Sequence, residues 1–215
     1  MNLVFLGPPA SGKGTQAELV AKTLQHQYFE AGEVLREIAK KKSSLAQKID
    51  QIMNQEGKLL PDEIMNQVVD QWLISRDLKK GIIFDGFPRK LSQYLVFQER
   101  LAEKKTKIDQ VVFLKVSSAV SIKRISSRRV CPKCDGEYNL ITQKPKKDEL
   151  CDQCQLKLGQ RQDDQSEVVR KRLEVYQQNT QPLIDYIRKQ GLLLEVDGER
   201  PIETIHQEIM KRLPS

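Results

Sequence analysis

The sequence predicts an α/β domain built on a doubly wound parallel sheet with helices on both faces. Three observations lead there. Short apolar runs rich in β-formers alternate with stretches of helical periodicity, a glycine-rich loop joins the first run to the first helix, and only residues 31–60 and 127–164 break the alternation. Strands buried on both faces read as continuous apolar runs. Strand–helix alternation implies parallel pairing through right-handed crossovers. A chain of 215 residues has room for one substantial core and small insertions.

The strand candidates are Leu3–Leu6, Ile82–Phe84, Val111–Val116 and Leu192–Val196, with a shorter fifth at Tyr28-Phe29. Helical spacing covers Gln16–Leu24, Asp62–Asp77, Leu91–Glu103, Ser118–Arg129 and Glu167–Gln190. Pro182 inside the last of these predicts a kink or break, because proline lacks the N–H that a helix interior needs. Residues 31–60 hold helical stretches without a strand, and residues 127–164 hold all four cysteines with little periodicity. Both read as insertions, leaving 1–30, 61–126 and 165–215 as the sheet domain.

The loop Gly7-Pro8-Pro9-Ala10-Ser11-Gly12-Lys13-Gly14-Thr15 lies between a strand and a helix, the context a phosphate-binding loop requires. Its backbone N–H groups and the helix N-terminus would converge on an anion, where the helix dipole favours negative charge. Lys13 can reach terminal phosphates, and Gly7 and Gly12 permit turns that a Cβ would obstruct. The general motif places Ser or Thr directly after the lysine; here Gly14 precedes Thr15. Ligands of open α/β sheets bind beyond the carboxyl ends of the strands, where this loop and Asp85 both fall.

Thirty-six Lys and Arg against 29 Asp and Glu give a net charge of +7, which suits nucleic acid or small polyphosphates. No basic run interleaved with aromatics offers a base-stacking platform. Lys40-Lys41-Lys42 and Lys144-Pro145-Lys146-Lys147 read as solvated faces. No apolar stretch approaches the roughly 20 residues of a membrane span, and the N-terminus lacks the basic-then-apolar order of a secretory signal. The expectation is a soluble cytoplasmic protein with neither membrane nor nucleic acid as partner. His26 and His206 are distant in sequence and belong to no catalytic-looking motif.

Cys131-Pro132-Lys133-Cys134 and Cys151-Asp152-Gln153-Cys154 repeat C-x2-C across sixteen residues, within the spacing of zinc sites. Four thiolates fill a tetrahedral Zn²⁺ shell and leave no place for water, so such a site would be structural. Paired disulfides or free thiols are the alternatives, the former disfavoured in a reducing compartment. Iron suits tetrahedral thiolates as well.

With loop and cysteines together, the chain resembles the adenylate kinase family in its long form with a zinc-binding lid. Phe84-Asp85-Gly86-Phe87-Pro88-Arg89 resembles the family's DGFPR segment. Further likeness lies in Gly32 with Arg36, Gly57-Lys58-Leu59-Leu60-Pro61-Asp62-Glu63, Arg124 to Arg129, Arg161-Gln162-Asp163-Asp164, Arg170-Lys171-Arg172-Leu173 and Val196-Asp197-Gly198. The resemblance implies a P-loop nucleotide kinase with a five-stranded sheet, residues 31–60 as the AMP-binding insertion and 127–164 as a zinc-stapled lid. It implies reversible phosphoryl transfer from Mg-ATP to AMP by a monomer. ATP contacts would fall on Ala10, Ser11, Gly12, Lys13, Gly14, Thr15, Arg124, Arg128, Tyr138 and Arg200. AMP contacts would fall on Ala31, Arg36, Lys58, Leu59, Leu60, Gly86, Phe87, Pro88, Arg89, Gln93, Arg161 and Arg172. Lys13, Arg89, Arg124, Arg128, Arg161 and Arg172 would carry the catalysis, with Asp85 orienting Mg²⁺ through water. That fits a reaction which needs positioning and charge stabilisation rather than a nucleophile.

Three positions depart from the family pattern. Ala10 replaces a glycine, at little cost provided its φ stays negative. Ala31, in Glu30-Ala31-Gly32-Glu33, lacks the threonine hydroxyl that contacts the base, a loss on the order of 1 kcal/mol. Asn139 follows Tyr138 in the lid. Gln93 remains at the adenine-reading position, where its amide offers donor and acceptor together. Alternatives are a kinase for UMP or CMP, a kinase with GTP as donor, a nucleic-acid-binding zinc-ribbon protein, and a nucleotide-binding pseudoenzyme. Asp163 and Asp164 are hinge or ion-pair residues, Asp163 being a candidate partner for lid arginines.

Overall fold

The computed structural model describes residues 1–41, 43–52, 56, 58–74, 76–161 and 164–214. Five parallel strands form the central sheet: β1 (Leu3–Leu6), β2 (Gln27–Glu30), β3 (Ile82–Asp85), β4 (Gln110–Lys115) and a last one, Leu193–Asp197. Their order is β2-β3-β1-β4 and then the Leu193–Asp197 strand. Every neighbouring pair is parallel, with Val4 opposite Phe84 and Val111, and Val112 opposite Leu194. The shorter candidate at Tyr28-Phe29 is thus a full edge strand.

Both faces of the sheet are apolar, because alternate residues of each strand point opposite ways. Leu3, Phe5, Ile83, Val112 and Leu114 share one core with helices α1 (Lys13–Leu24) and Ile202–Arg212. Val4, Leu6, Phe84, Val111 and Phe113 share the other with α2 (Ala31–Ala39), α3 (Ser44–Asp50), α4 (Asp62–Ile74), α5 (Leu91–Glu103) and the helix Gln181–Lys189. The 31–60 segment therefore has no separate core: Ala31, Leu35, Ile49 and Leu60 join the sheet's second layer.

Most elements shift by a residue or a few at their ends, and several differ in kind from the sequence reading. The helix from Ser118, α6 (Ser118–Ser126), stops before Arg128, which instead opens strand β5 (Arg128–Val130). β5 pairs antiparallel with β6 (Glu137–Asn139) in a two-stranded sheet of its own. The helix starting at Asp62 ends at Ile74, three residues short of Asp77. The expected break at Pro182 is a π turn, Tyr176–Thr180, joining α7 (Ser166–Val175) to α8 (Gln181–Lys189) without interruption. Pro182 lies at the start of α8, directly after the π turn, which shifts the hydrogen-bond ladder where proline has no N–H to give. The last strand becomes β7 (Leu193–Asp197) and the last helix α9 (Ile202–Arg212). α9 is absent from the sequence reading, although Ile202, Ile205 and Ile209 mark its apolar stripe.

Candidate active site

The glycine loop leaves the carboxyl end of β1 and enters α1 with Gly12 at φ +88°, a left-handed position that glycine occupies without strain. Ala10 also lies there, at φ +56°. The expected negative φ is thus wrong, and the alanine carries a left-handed penalty of about 1–2 kcal/mol. α6 holds the loop from the side: Ser121 Oγ donates to Pro9 O, and Arg124 Nη1 donates to Ser11 O at 3.2 Å. The first turn of α1 carries no acidic residue, so its positive end remains available to an anion. Gly14 has a local reason to be glycine. A Cβ there would lie 3.1 Å from Asp85 Oδ2 and 3.9 Å from the Tyr28 hydroxyl.

Lys13, at the start of α1, is half-buried at the cleft, and desolvation brings its pKa down to about 8; Asp85 opposes the shift, while Arg89, Arg172 and Arg128 add to it. Asp85 closes β3. Burial raises its carboxyl to about 6 against the pull of Lys13, and Glu30 adds to the rise. Its Oδ2 accepts from the Tyr28 hydroxyl at 3.3 Å, whereas Oδ1 is buried without a protein partner. An orphaned carboxylate oxygen beside a phosphate loop fits Mg²⁺, which takes one or two carboxylates and keeps several waters.

These groups line a cleft of about 940 Å³, near the upper end for small-molecule sites. Arg36, Arg89, Arg124, Arg128, Arg161 and Arg172 all line it, with Lys58, Leu59, Gly86, Tyr138 and Arg200. Six arginines scattered over 137 positions of sequence converge on one space. Contacts within the protein hold these arms. Arg89 Nε donates to Gly86 O at 2.6 Å, Arg36 pairs with Glu30 at 3.0 Å, and Arg161 pairs with Glu137. Arg128 grips Asp164 with two donors, Nε at 2.8 Å, and Arg172 approaches the same carboxylate at 3.6 Å. Asp164, whose side chain is fully buried, thereby ties β5 to α7. Of the two roles expected for it, hinge or ion pair, Asp164 takes the ion pair; Asp163, the candidate partner for the lid arginines, lies with Gly57 and Gln162 outside the described residues. The π turn contributes too, for Thr180 Oγ1 donates to Arg89 O at 3.0 Å. That placement was invisible in sequence, although π turns recur at functional sites.

Beside the arginine cleft is a pocket of about 50 Å³ lined by Ala31, Leu35, Leu60, Met65, Phe87 and Gln93 among others. Ala31 is 1 % exposed and packs in the core. Pro88 is buried and lines neither cavity. His26 and His206 contact Leu24 O and Thr23 Oγ1 at the far end of α1, and neither lines the cleft.

Residues 5–192 match the family model described as adenylate kinase. The chain is 46 % identical over 209 residues to a protein of Archaeoglobus fulgidus named adenylate kinase, covering 97 % of this chain and 96 % of that one. It is 42 % identical to the adenylate kinase of Thermotoga petrophila, over 97 % and 95 % of the two chains. With that of Petrotoga mobilis the identity is 43 % over 100 % and 98 %. The chain belongs to the adenylate kinase family.

The family's cysteine lid is visible as two matching knuckles. Cys131 N donates to Gly136 O and Cys151 N to Leu156 O, at 3.0 and 2.8 Å. The residue after each second cysteine, Asp135 and Gln155, takes φ +55°. No disulfide joins the cysteines. Their four Sγ atoms lie within 4.8 Å of one another, and Cys134 and Cys151 are 3.6 Å apart. A tetrahedral ion with Zn–S of about 2.3 Å needs S···S edges of roughly 3.8 Å, so the donors fit. A hydrogen bond from Tyr138 and the Cys154 N–H lower the Cys151 thiol to about 6, towards the thiolate form. Tyr138 thus lines the cleft while its hydroxyl lies 3.5 Å from Cys151 Sγ and accepts from Asp152 N at 2.9 Å. Asn139 braces the hairpin by donating to Arg124 O and accepting from Ile141 and Thr142 N–H. Arg200 reaches the cleft wall with its guanidinium tied to Glu208 and Asp197.

Proposed function

We propose that the chain transfers a phosphoryl group reversibly between Mg-ATP and AMP, giving two ADP, beneath a lid (residues 127–164) stapled by a structural zinc. Residues 31–60 form the acceptor insertion, and residues 1–30, 61–126 and 165–215 the core. The observation that carries this reading is the convergence of Lys13 and six arginines on one cleft beside the glycine loop. An AMP phosphate oxygen attacks the γ-phosphorus of ATP in line, the bridging P–O bond to the β-phosphate breaks, and ADP departs. Charge on the transferring group is the problem to solve, and rigid guanidinium forks solve it without leaving any working pH range.

In this mechanism Arg36 and Arg89 hold the AMP phosphate, and Lys58, Leu59, Leu60, Gly86, Phe87 and Pro88 shape its surroundings. The loop from Ala10 to Thr15, with Arg124, Arg128, Tyr138 and Arg200, holds ATP. Arg161 and Arg172 span the transferring group, and Asp85 holds water on Mg²⁺. Bound Mg²⁺ would neutralise developing phosphate charge. Cys131, Cys134, Cys151 and Cys154 would hold zinc, which stabilises the lid and stays out of the chemistry. The enzyme acts as a cytoplasmic monomer on nucleotides; no helix among the described residues is long and apolar enough to cross a membrane.

Buried, apolar Ala31 and the Glu30–Arg36 pair favour one second reading, a kinase of the same mechanism with UMP or CMP as acceptor or GTP as donor. Phosphorylation of AMP, UMP, CMP and GMP, with ATP and then GTP, separates them. Strong AMP preference with ATP is expected. Preference for another base moves the specificity to the Ala31 pocket, and no transfer to any acceptor overturns the kinase reading.

A further inference from the structure

Gln93 is 3 % exposed and lines the small pocket beside Ala31. Its amide is clamped at both ends. Arg89 N–H donates to Oε1 at 2.9 Å, and Nε2 donates to Asp62 Oδ1 at 3.0 Å. The orientation follows from chemistry as well as from placement. A backbone N–H can only donate, so the amide atom facing Arg89 must be oxygen; an ionised carboxylate can only accept, so the atom facing Asp62 must be nitrogen. Turning the amide over would set Oε1 against a carboxylate and NH₂ against N–H, breaking both bonds. Asp62 is itself fixed, accepting from Lys90 Nζ at 2.8 Å and Ser92 Oγ at 2.7 Å.

The clamp leaves one Nε2 hydrogen and one Oε1 lone pair for a ligand, in a fixed order. Adenine presents a ring-nitrogen acceptor beside an amino donor and matches that order. The hypoxanthine of IMP and the guanine of GMP present N1–H beside a carbonyl, the reverse order. With the acceptor phosphate held at its other end, the base cannot turn over to compensate. We infer that Asp62 is a specificity-determining positioning residue, which locks the Gln93 amide in the orientation that admits 6-amino purines and rejects 6-oxo purines. The inference rests on the AMP reading above. It matters more here because Ala31 supplies no hydroxyl to the base.

The test compares kcat/KM for AMP and IMP, with ATP as donor, in wild type, Asp62→Asn and Asp62→Glu. Asparagine can offer either an acceptor or a donor to Gln93, so only the Arg89 N–H still opposes turning the amide over. The AMP:IMP ratio is expected to fall about tenfold in Asp62→Asn, the scale of one unpaired buried polar group. Asp62→Glu, which remains a pure acceptor, should keep most of the discrimination. A role confined to stability would lower both substrates together and leave the ratio in place, a result that overturns the inference. Wild type using AMP and IMP equally would overturn it as well, while leaving phosphoryl transfer intact. Wild type transferring to neither removes the AMP reading, and the inference with it. Should thermal denaturation show Asp62→Asn unfolded, the ratio is read in Asp62→Ser, whose hydroxyl can either accept from Gln93 or donate to it; an unchanged ratio there overturns the inference.

Discussion

Half-buried Lys13 faces buried Asp85, and desolvation brings their pKa values to about 8 and about 6 against the attraction of the two charges. The folded Asp85 carboxyl sits above its ordinary value, so its contribution to stability falls as pH rises through that window. The folded Lys13 amine sits below its ordinary value, so its penalty is relieved only as pH rises above about 8. Between these limits both are ionised, the state that receives Mg²⁺ and phosphate. The kcat/KM for ATP should therefore be bell-shaped, with limbs near 6 and 8, since that ratio reports the free enzyme. In kcat the alkaline limb should move up, because bound phosphates favour the ammonium. A kcat/KM profile flat across the alkaline range would refute the Lys13 assignment. Glu30 bears on the same site: its carboxylate occupies Arg36 at 3.0 Å and raises Asp85. Glu30→Gln should free the arginine for the acceptor, lowering KM for AMP about threefold to tenfold, and should move the acid limb down. An unchanged KM would mean that the pair does not compete with substrate.

Among the elements, those that bury both faces were the most legible. β1, β3, β4 and β7 stand where continuous apolar runs predict them, and α5 spans Leu91–Glu103 as its periodicity implies. The sheet buries every alternate residue on one side or the other, so apolar content alone reports it. The lid was less legible. Arg128 and Arg129 continue the helical spacing of α6, yet pairing with Asn139 and Tyr138 draws them into β5. Hairpin pairing across eight intervening residues leaves no periodic mark. The φ of Ala10 is set by closure of the whole loop, and the Asp62–Gln93 contact by two helix starts that meet only in three dimensions. The cysteine cluster was legible because spacing dictates its chemistry. Its apolar support is small, Cys131, Cys151 and Leu158 with Tyr138 and Cys154 around them, too little for an independent core. Metal removal should therefore lower Tm by more than about 5 °C, given the roughly 10–16 kcal/mol that zinc supplies to finger peptides. One metal released per chain, measured colorimetrically alongside the melt, is the expected companion result. Metal-free protein with an unchanged Tm would deny the lid a structural ion.

Across the whole molecule, the lid is held to the rest by contacts of unequal strength. Lys40, just past the end of α2, reaches Asp135 of the first knuckle at 3.0 Å, but both side chains are mostly exposed, at 66 % and 59 %. Such a pair contributes at most about 1 kcal/mol and cannot keep the cleft shut. Asp164 is different: fully buried, it joins Arg128 of β5 to Arg172 of α7. In the proposed mechanism, closure draws on nucleotide phosphates engaging Arg128 and Arg161 from above and Arg89 and Arg172 from below. Closure of this kind excludes water, so the phosphoryl group passes to AMP instead of being hydrolysed. The same contacts must break before ADP leaves, which places opening after chemistry on the path to turnover. Rapid-quench measurement with saturating ATP and AMP should show a burst of ADP in the first turnover, followed by a slower steady rate equal to kcat. Asp164→Asn removes the buried carboxylate that Arg128 and Arg172 share and should cost about 3 kcal/mol of stability. A linear time course from the first turnover, with ADP formed no faster than kcat, would place the slow step in chemistry and remove lid opening as the limit.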